Sequence, residues 1–142
     1  MTAIEATRQR VQRMLADLFG TIEIDREGDF TFRHGSTRVF ISITDEFREH
    51  TLVNVRAITN LRVPPSPELF RYIATENHYI FGALRGHEGD EGVLVTFRQT
   101  LLGDTLDPEE LRTAVIAVAG TADDVDDEIQ SRFGGDRFHE DS

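Results

Sequence analysis

Between Ile22 and Ala57 apolar side chains recur at every second position, and this period of two constrains the fold more than any other feature of the chain. Ile22 and Ile24 flank Glu23. Phe30 and Phe32 alternate with Thr31 and Arg33. Val39, Ile41 and Ile43 alternate with Arg38, Phe40, Ser42 and Thr44, and Val53, Val55 and Ala57 alternate with Asn54 and Arg56. Successive side chains of a strand point to opposite faces, so each run predicts a strand with one buried face. The interruptions at His34-Gly35-Ser36 and at Arg48-Glu49-His50 read as turns. Short alternating runs joined by turns predict an antiparallel meander.

A second strand block follows later in the chain. Ile80 to Leu84 is expected as a strand, Gly86 to Gly92 as a flexible hairpin loop, and Val93, Val95 and Phe97 as the buried positions of the returning strand. Three helical patterns frame the two blocks. Ala3 to Phe19 carries Ile4, Val11, Leu15 and Leu18 at helical spacing, with Thr2 and Glu5 in a capping-box relation and Gly20 as the stop. Ser66-Pro67-Glu68 starts a helix to about Glu76, because a capping hydroxyl precedes proline and an acid in the first turn. Asp107-Pro108-Glu109-Glu110 starts the third, whose stripe of Leu111, Val115, Val118, Ala122, Val125 and Ile129 runs to about Phe133 before Gly134-Gly135.

The expected order is therefore α-β-β-β-α-β-β-α. It is an α+β fold in which three helices pack with an antiparallel sheet. Residues 1–135 are expected to form one domain and residues 136–142 a frayed tail. A chain of 142 residues can bury a full core without staples, and this one has no cysteine to make them. That lack removes disulfides, thiol chemistry and thiolate zinc sites, and suits the cytoplasm. No apolar run reaches the about 20 residues needed to span a bilayer, and Met1 to Arg13 lacks the pattern of a cleavable leader. No membrane partner is expected.

The formal net charge is −11, and all the basic side chains are arginine, a compositional bias. So negative a chain is not expected to bind nucleic acid, since duplex binding rests on neutralising phosphates. Catalytic patterns are equally sparse. The histidines His34, His50, His78, His87 and His139 fall mostly in predicted turns, and none is spaced to share a metal face with another. The run Asp123-Asp124-Val125-Asp126-Asp127-Glu128 lacks the ligand alternation and glycine of a calcium loop and is expected as a solvated helix face. No serine sits in a nucleophile elbow, and Gly82, Gly86, Gly89 and Gly92 do not space a phosphate loop. No enzyme activity, metal or cofactor is expected.

Two surfaces attract a binding role. If the alternating valines and isoleucines face the core, then Arg33, Arg38, Arg56 and Arg98 emerge on the opposite face of the sheet, together with Phe40, Ile58 and Leu94. An arginine-and-apolar face on an acidic protein suits an amphipathic or acidic peptide, although half-solvated sheets of this kind also occur without a ligand. In the second helix Leu69, Phe70, Tyr72 and Ile73 are more apolar side chains than one buried stripe needs, which makes this helix a candidate contact with a second copy.

The segments Val63-Pro64-Pro65-Ser66-Pro67-Glu68-Leu69-Phe70-Arg71-Tyr72 and Leu101-Leu102-Gly103-Asp104-Thr105-Leu106-Asp107-Pro108-Glu109-Glu110-Leu111 resemble stretches recurring in actinobacterial members of the YbjN family, as do Val118-Ala119-Gly120-Thr121-Ala122-Asp123 and Phe133-Gly134-Gly135. That family is similar in fold to the class I chaperones of type III secretion. The resemblance implies a cytoplasmic, non-enzymatic, peptide-binding, chaperone-like domain that forms a homodimer around which an extended protein partner wraps. It brings no catalytic residue and no cofactor. The alternative is a regulatory or sensory domain that binds one folded signalling partner.

Overall fold

Each helix begins where a side chain caps it. In the computed structural model, which describes residues 1–138, α1 (Ala3–Phe19) starts with the Thr2 hydroxyl accepting from the Glu5 amide at 3.1 Å. Ser66 does the same for the Leu69 amide at the head of α2 (Pro67–Thr75). At the head of α3 (Pro108–Phe133), Asp107 accepts from the Glu110 amide at 2.8 Å while Glu110 accepts from the Asp107 amide at 3.0 Å, closing a reciprocal capping box.

The strands are β1 (Glu23–Ile24), β2 (Phe30–His34), β3 (Thr37–Phe47), β4 (His50–Val63), β5 (Ala83–Gly89), β6 (Gly92–Leu102) and β7 (Asp136–Arg137). They form one antiparallel sheet in the order β1-β2-β3-β4-β6-β5, and β7 adds to β4. The α+β class and the antiparallel sheet with three helices expected from the sequence are what the structure has. The alternation also holds in detail. Phe30, Phe32, Val39, Ile41, Val53, Val55, Ala57, Val95 and Phe97 are buried on the inner face.

All three helices cover that inner face. The stripe of α3 is buried from Leu111 to Ile129, and α3 runs across β3, β4 and β6. Val11 and Leu15 bring α1 into the same core, where Phe19 stacks on Phe32 with ring centroids 5.1 Å apart. Tyr72 of α2 packs on Phe133 of α3, with centroids 5.3 Å apart. Each large apolar side chain taken from water contributes about 1.5–3 kcal/mol, so the contiguous inner core, rather than helix propensity, holds the layers together.

A bulge interrupts β4. Ile58 pairs with Thr96 but Asn60 pairs with Val95, so Thr59 is an extra residue whose hydroxyl donates to the Val95 carbonyl at 3.1 Å. The shift turns Asn60 toward α3, where its Nδ2 donates to the Asp126 carbonyl at 3.0 Å. Asp126 itself is buried, so the acidic run of α3 is not wholly the solvated face that charge patterning predicts.

Three other expectations change. Pairing of β5 begins at Ala83 opposite Arg98, not at Ile80. Gly82 causes the delay. It has φ +91° and crosses so close to β6 that a Cβ there would lie 2.7 Å from the Arg98 carbonyl oxygen. The hairpin loop shrinks to a turn at Asp90-Glu91, because β5 stays paired through Gly89. Finally, Asp136 and Arg137, placed in the frayed tail by the sequence reading, pair with Leu61 and Asn60 of β4 beyond the reach of β3. The rest of that tail, with His139, lies outside the described residues apart from Phe138, whose amide donates to the Thr59 carbonyl at 3.2 Å.

Candidate functional site

Since the helices share one side, the other side of the sheet is open. Among the described residues no helix lies on it. Strand pairing sets its side chains in rows. The central row runs Thr31, Phe40, Arg56, Arg98 across β2, β3, β4 and β6, each residue directly opposite the next. Arg33 and Arg38 face each other in the adjacent row. Cross-strand neighbours in one row stand about 4.5–5.5 Å apart at Cβ, close enough for long side chains to act together.

The row is held in place by its own contacts. The Arg56 guanidinium lies over the Phe40 ring, 5.4 Å from its centroid, and pairs with Asp29 at 3.1 Å. Arg38 pairs with Glu23 at 3.1 Å and donates to the Thr31 hydroxyl at 3.2 Å. Arg98 has no carboxylate partner among the described residues. Burial lowers its pKa first, followed by the positive charges of Arg85 and Arg56, with Glu46 acting in the opposite sense. An acidic molecule therefore carries a local cationic strip, and an anion placed beside Arg98 would relieve repulsion among three guanidinium groups.

Of the sequence-predicted face residues, the structure brings Arg33, Arg38, Phe40, Arg56, Ile58 and Arg98 onto one contiguous patch. Leu94 lies further along β6, opposite His87, where it lines a shallow cleft with Leu61 and Arg62. The C-terminal residues were not foreseen as part of this surface. Phe138 meets the Phe40 ring at a centroid distance of 6.2 Å. A two-residue strand after a glycine pair has no periodicity to read; only the apolar Phe138 hinted at it.

The four residues singled out on α2 divide. Leu69 and Tyr72 are buried in the molecule's own core. The Tyr72 hydroxyl donates to Glu128 of α3 at 3.2 Å, and its pKa is raised by burial first and by Tyr79 and Glu128 next. Phe70 is 42% exposed, and Ile73 is half-buried beside Gly86 of β5. The neighbouring Ile80 and Phe81, 91% and 44% exposed, enlarge this apolar surface and were expected inside a strand.

The described histidines do not converge. His34 meets Phe19 edge-on, His50 pairs with Asp104, and His78 and His87 are exposed. Among the described residues no three His, Asp or Glu side chains are grouped to hold a metal. None of their helices is long and apolar enough to cross a membrane.

The profile of one protein family matches residues 5–141: the type III secretion (YopN, CesT) and YbjN peptide-binding chaperones, group 1. The chain belongs to this family. Solved structures with a similar fold include two reported complexes. The Yersinia pestis type III secretion chaperone SycH, solved in complex with a stable fragment of YscM2, superposes with a TM-score of 0.57 at 9% identity, over 83% of this chain and 98% of SycH. ExsC, in the ExsC–ExsE complex, superposes with a TM-score of 0.60 at 17% identity, over 91% of this chain and 97% of its own. A comparison with curated proteins gives no match. Members of this family are described as peptide-binding chaperones.

Proposed function

We propose that this chain is a cytoplasmic, non-enzymatic chaperone-like module that receives an extended protein segment on the open face of its sheet and works as a homodimer joined through α2. The observation that carries the reading is the row Phe40–Arg56–Arg98: a cationic, partly apolar strip on a protein of net charge −11. Such a strip favours a client segment with acidic side chains between apolar ones, because each carboxylate meets a guanidinium and each apolar group meets Phe40 or Ile58. Phe70, with Ile73 beside it, supplies the apolar surface for the second copy.

The test is capture of partners from native lysate with mild crosslinking, read by mass spectrometry. Crosslinks from an extended client segment to β3, β4 and β6 are expected, and Arg98→Glu should reduce the yield at least tenfold without altering the fold. Arg98 is the informative position because Arg38 and Arg56 already have carboxylate partners, so reversing them would also break internal pairs. Crosslinks confined to the helical side, or to a folded partner, would favour a regulatory domain. For the dimer, light scattering should give twice the 16.1 kDa chain mass, and Phe70→Asp a folded monomer. An unchanged dimer would remove α2 from the interface.

A further inference from the structure

The edge of β6, toward the helical side of the sheet, differs from the other strand edges. The edges of this sheet are covered in two places. β7 occupies β4 where β3 ends. At β5, the Asn77 side chain pairs with Leu84 as a short strand would: its Nδ2 donates to the Leu84 carbonyl at 2.8 Å and its Oδ1 accepts from the Leu84 amide at 2.8 Å. Among the described residues, the end of β6 has no such cover. β5 pairs with it only up to Ala83 opposite Arg98, while β4 continues along the other edge to Leu102. From Gln99 to Leu102, β6 is therefore paired on one side only, and alternate N–H and C=O groups point away from β4.

Beside this open edge is a groove of about 310 Å³ between β6 and the first turns of α3. Phe81 and Leu101 form its apolar part. Asp107, Glu109, Glu110 and Thr113 form the far wall, where Arg112 pairs with Glu109 at 3.6 Å, and among the described residues no basic side chain lines the groove itself. Gln99 also lines it, and the Gln99 Oε1 is buried without a hydrogen-bond partner among the described residues.

Resting on the peptide-binding reading above, we infer that the open edge of β6 takes an extended segment of a partner protein in which arginine or lysine alternates with apolar residues. Four residues of such a strand span about 13 Å and would continue the line of β5 beside Gln99–Leu102. Side chains entering the groove lay their aliphatic stems on Leu101 and Phe81 and bring their cationic heads to Glu109 and Glu110. Alternate side chains emerge on the other face beside Leu102, which is exposed. A second copy of this chain fits poorly, because it would bring another −11 against a wall of carboxylates. A client that uses both places would offer an acidic stretch to the arginine strip and a basic one to this groove.

The test is fluorescence anisotropy with a labelled ten-residue peptide alternating lysine and valine, titrated with the full chain. The expected result is saturable binding that falls at least tenfold in three cases: when glutamate replaces lysine in the peptide, when the peptide backbone is N-methylated, and when the protein carries Phe81→Asp or Glu109→Lys. Hydrogen exchange should slow at Gln99–Leu102 in the bound state. Arg98→Glu, on the other face, should leave this binding in place, which separates failure of the groove from failure of the arginine strip. The proposal is overturned if the lysine peptide does not bind, if the N-methylated peptide binds equally, or if neither protein variant weakens binding. It is also overturned if Phe81→Asp turns a dimer into a monomer while the peptide fails to bind; the groove would then be an interface between copies.

Discussion

Phe138 closes edge-on over Phe40, with ring centroids 6.2 Å apart, so the C-terminal segment covers part of the strip that bears Arg56 and Arg98. Its anchorage includes the pairing of β7 with β4 at two positions, the Arg62–Asp136 ion pair, which is solvent-exposed, and the Arg137–Asp127 pair, in which Arg137 is half-buried; an exposed pair contributes about 0–1 kcal/mol.

Gly135 is the point at which this anchorage can be released. It has φ +81°, and a Cβ there would lie 2.8 Å from both the Leu61 carbonyl oxygen and the Val63 Cα. Gly135→Ala should therefore lift β7 from β4 at a cost of about 1–3 kcal/mol, and the Phe138 amide, which donates to Thr59, should exchange at least tenfold faster. Exchange rates in β3 and β6 should not change. An unaltered Phe138 rate would mean that the turn accommodates alanine.

Asn77 has a comparable role at the other end of the sheet. Asn77→Ala removes both hydrogen bonds to Leu84 and leaves a strand edge unpaired. A loss of about 1–3 kcal/mol is expected in urea unfolding, with a measurable rise in self-association at high concentration, since an uncovered edge is a template for another strand. Asn77→Asp keeps the acceptor for the Leu84 amide and should recover part of the stability.

Helix α3 offers a contrast within one element. Leu111 is fully buried and Ile116 is 39% exposed. Leu111→Ala should cost about 2–5 kcal/mol through lost burial and the cavity left behind. Ile116→Ala should stay within about 0.5 kcal/mol. Equal costs at the two positions, read from urea midpoints, would contradict the orientation of the helix on the sheet.

These sites were legible in the sequence to different degrees, for physical reasons. Leu111 and its stripe could be read directly, since burial every three or four residues leaves a period in the residues themselves. The same holds for Phe40, Arg56 and Arg98, because alternation fixes which face a side chain takes once the valines between them are known to be inside. The register that sets those three opposite one another depends on long-range pairing that no local pattern encodes. Phe81, Gln99 and the open edge of β6 were invisible for a related reason. They exist because Gly82 delays pairing to Ala83, and an apolar run of Ile80 and Phe81 looks like any other strand. On α2, helical spacing could not divide Leu69 and Tyr72 from Phe70, since that division depends on where α3 and β5 lie.

Asp104 links the start of β4 to the loop before α3, and it predicts how the fold responds to acid. Its carboxylate pairs with His50 and accepts from the Thr51 amide at 3.1 Å and the Thr51 hydroxyl at 3.0 Å. The hydrogen bond from His50 first, then that from the Thr51 backbone, hold its pKa below the ordinary carboxylate value. A depressed value means that the folded state binds the proton less readily than the unfolded one. The resulting stabilisation is fully present above the ordinary value, about 4, and is lost as the pH falls through the depressed value. Asp104→Asn lacks that titration. Urea midpoints measured from about pH 5 down to pH 2 should therefore place the wild-type chain above the variant by a margin that shrinks as Asp104 takes up its proton. A margin that persists unchanged to pH 2 would show that Asp104 acts through shape and neutral hydrogen bonding rather than through its charge.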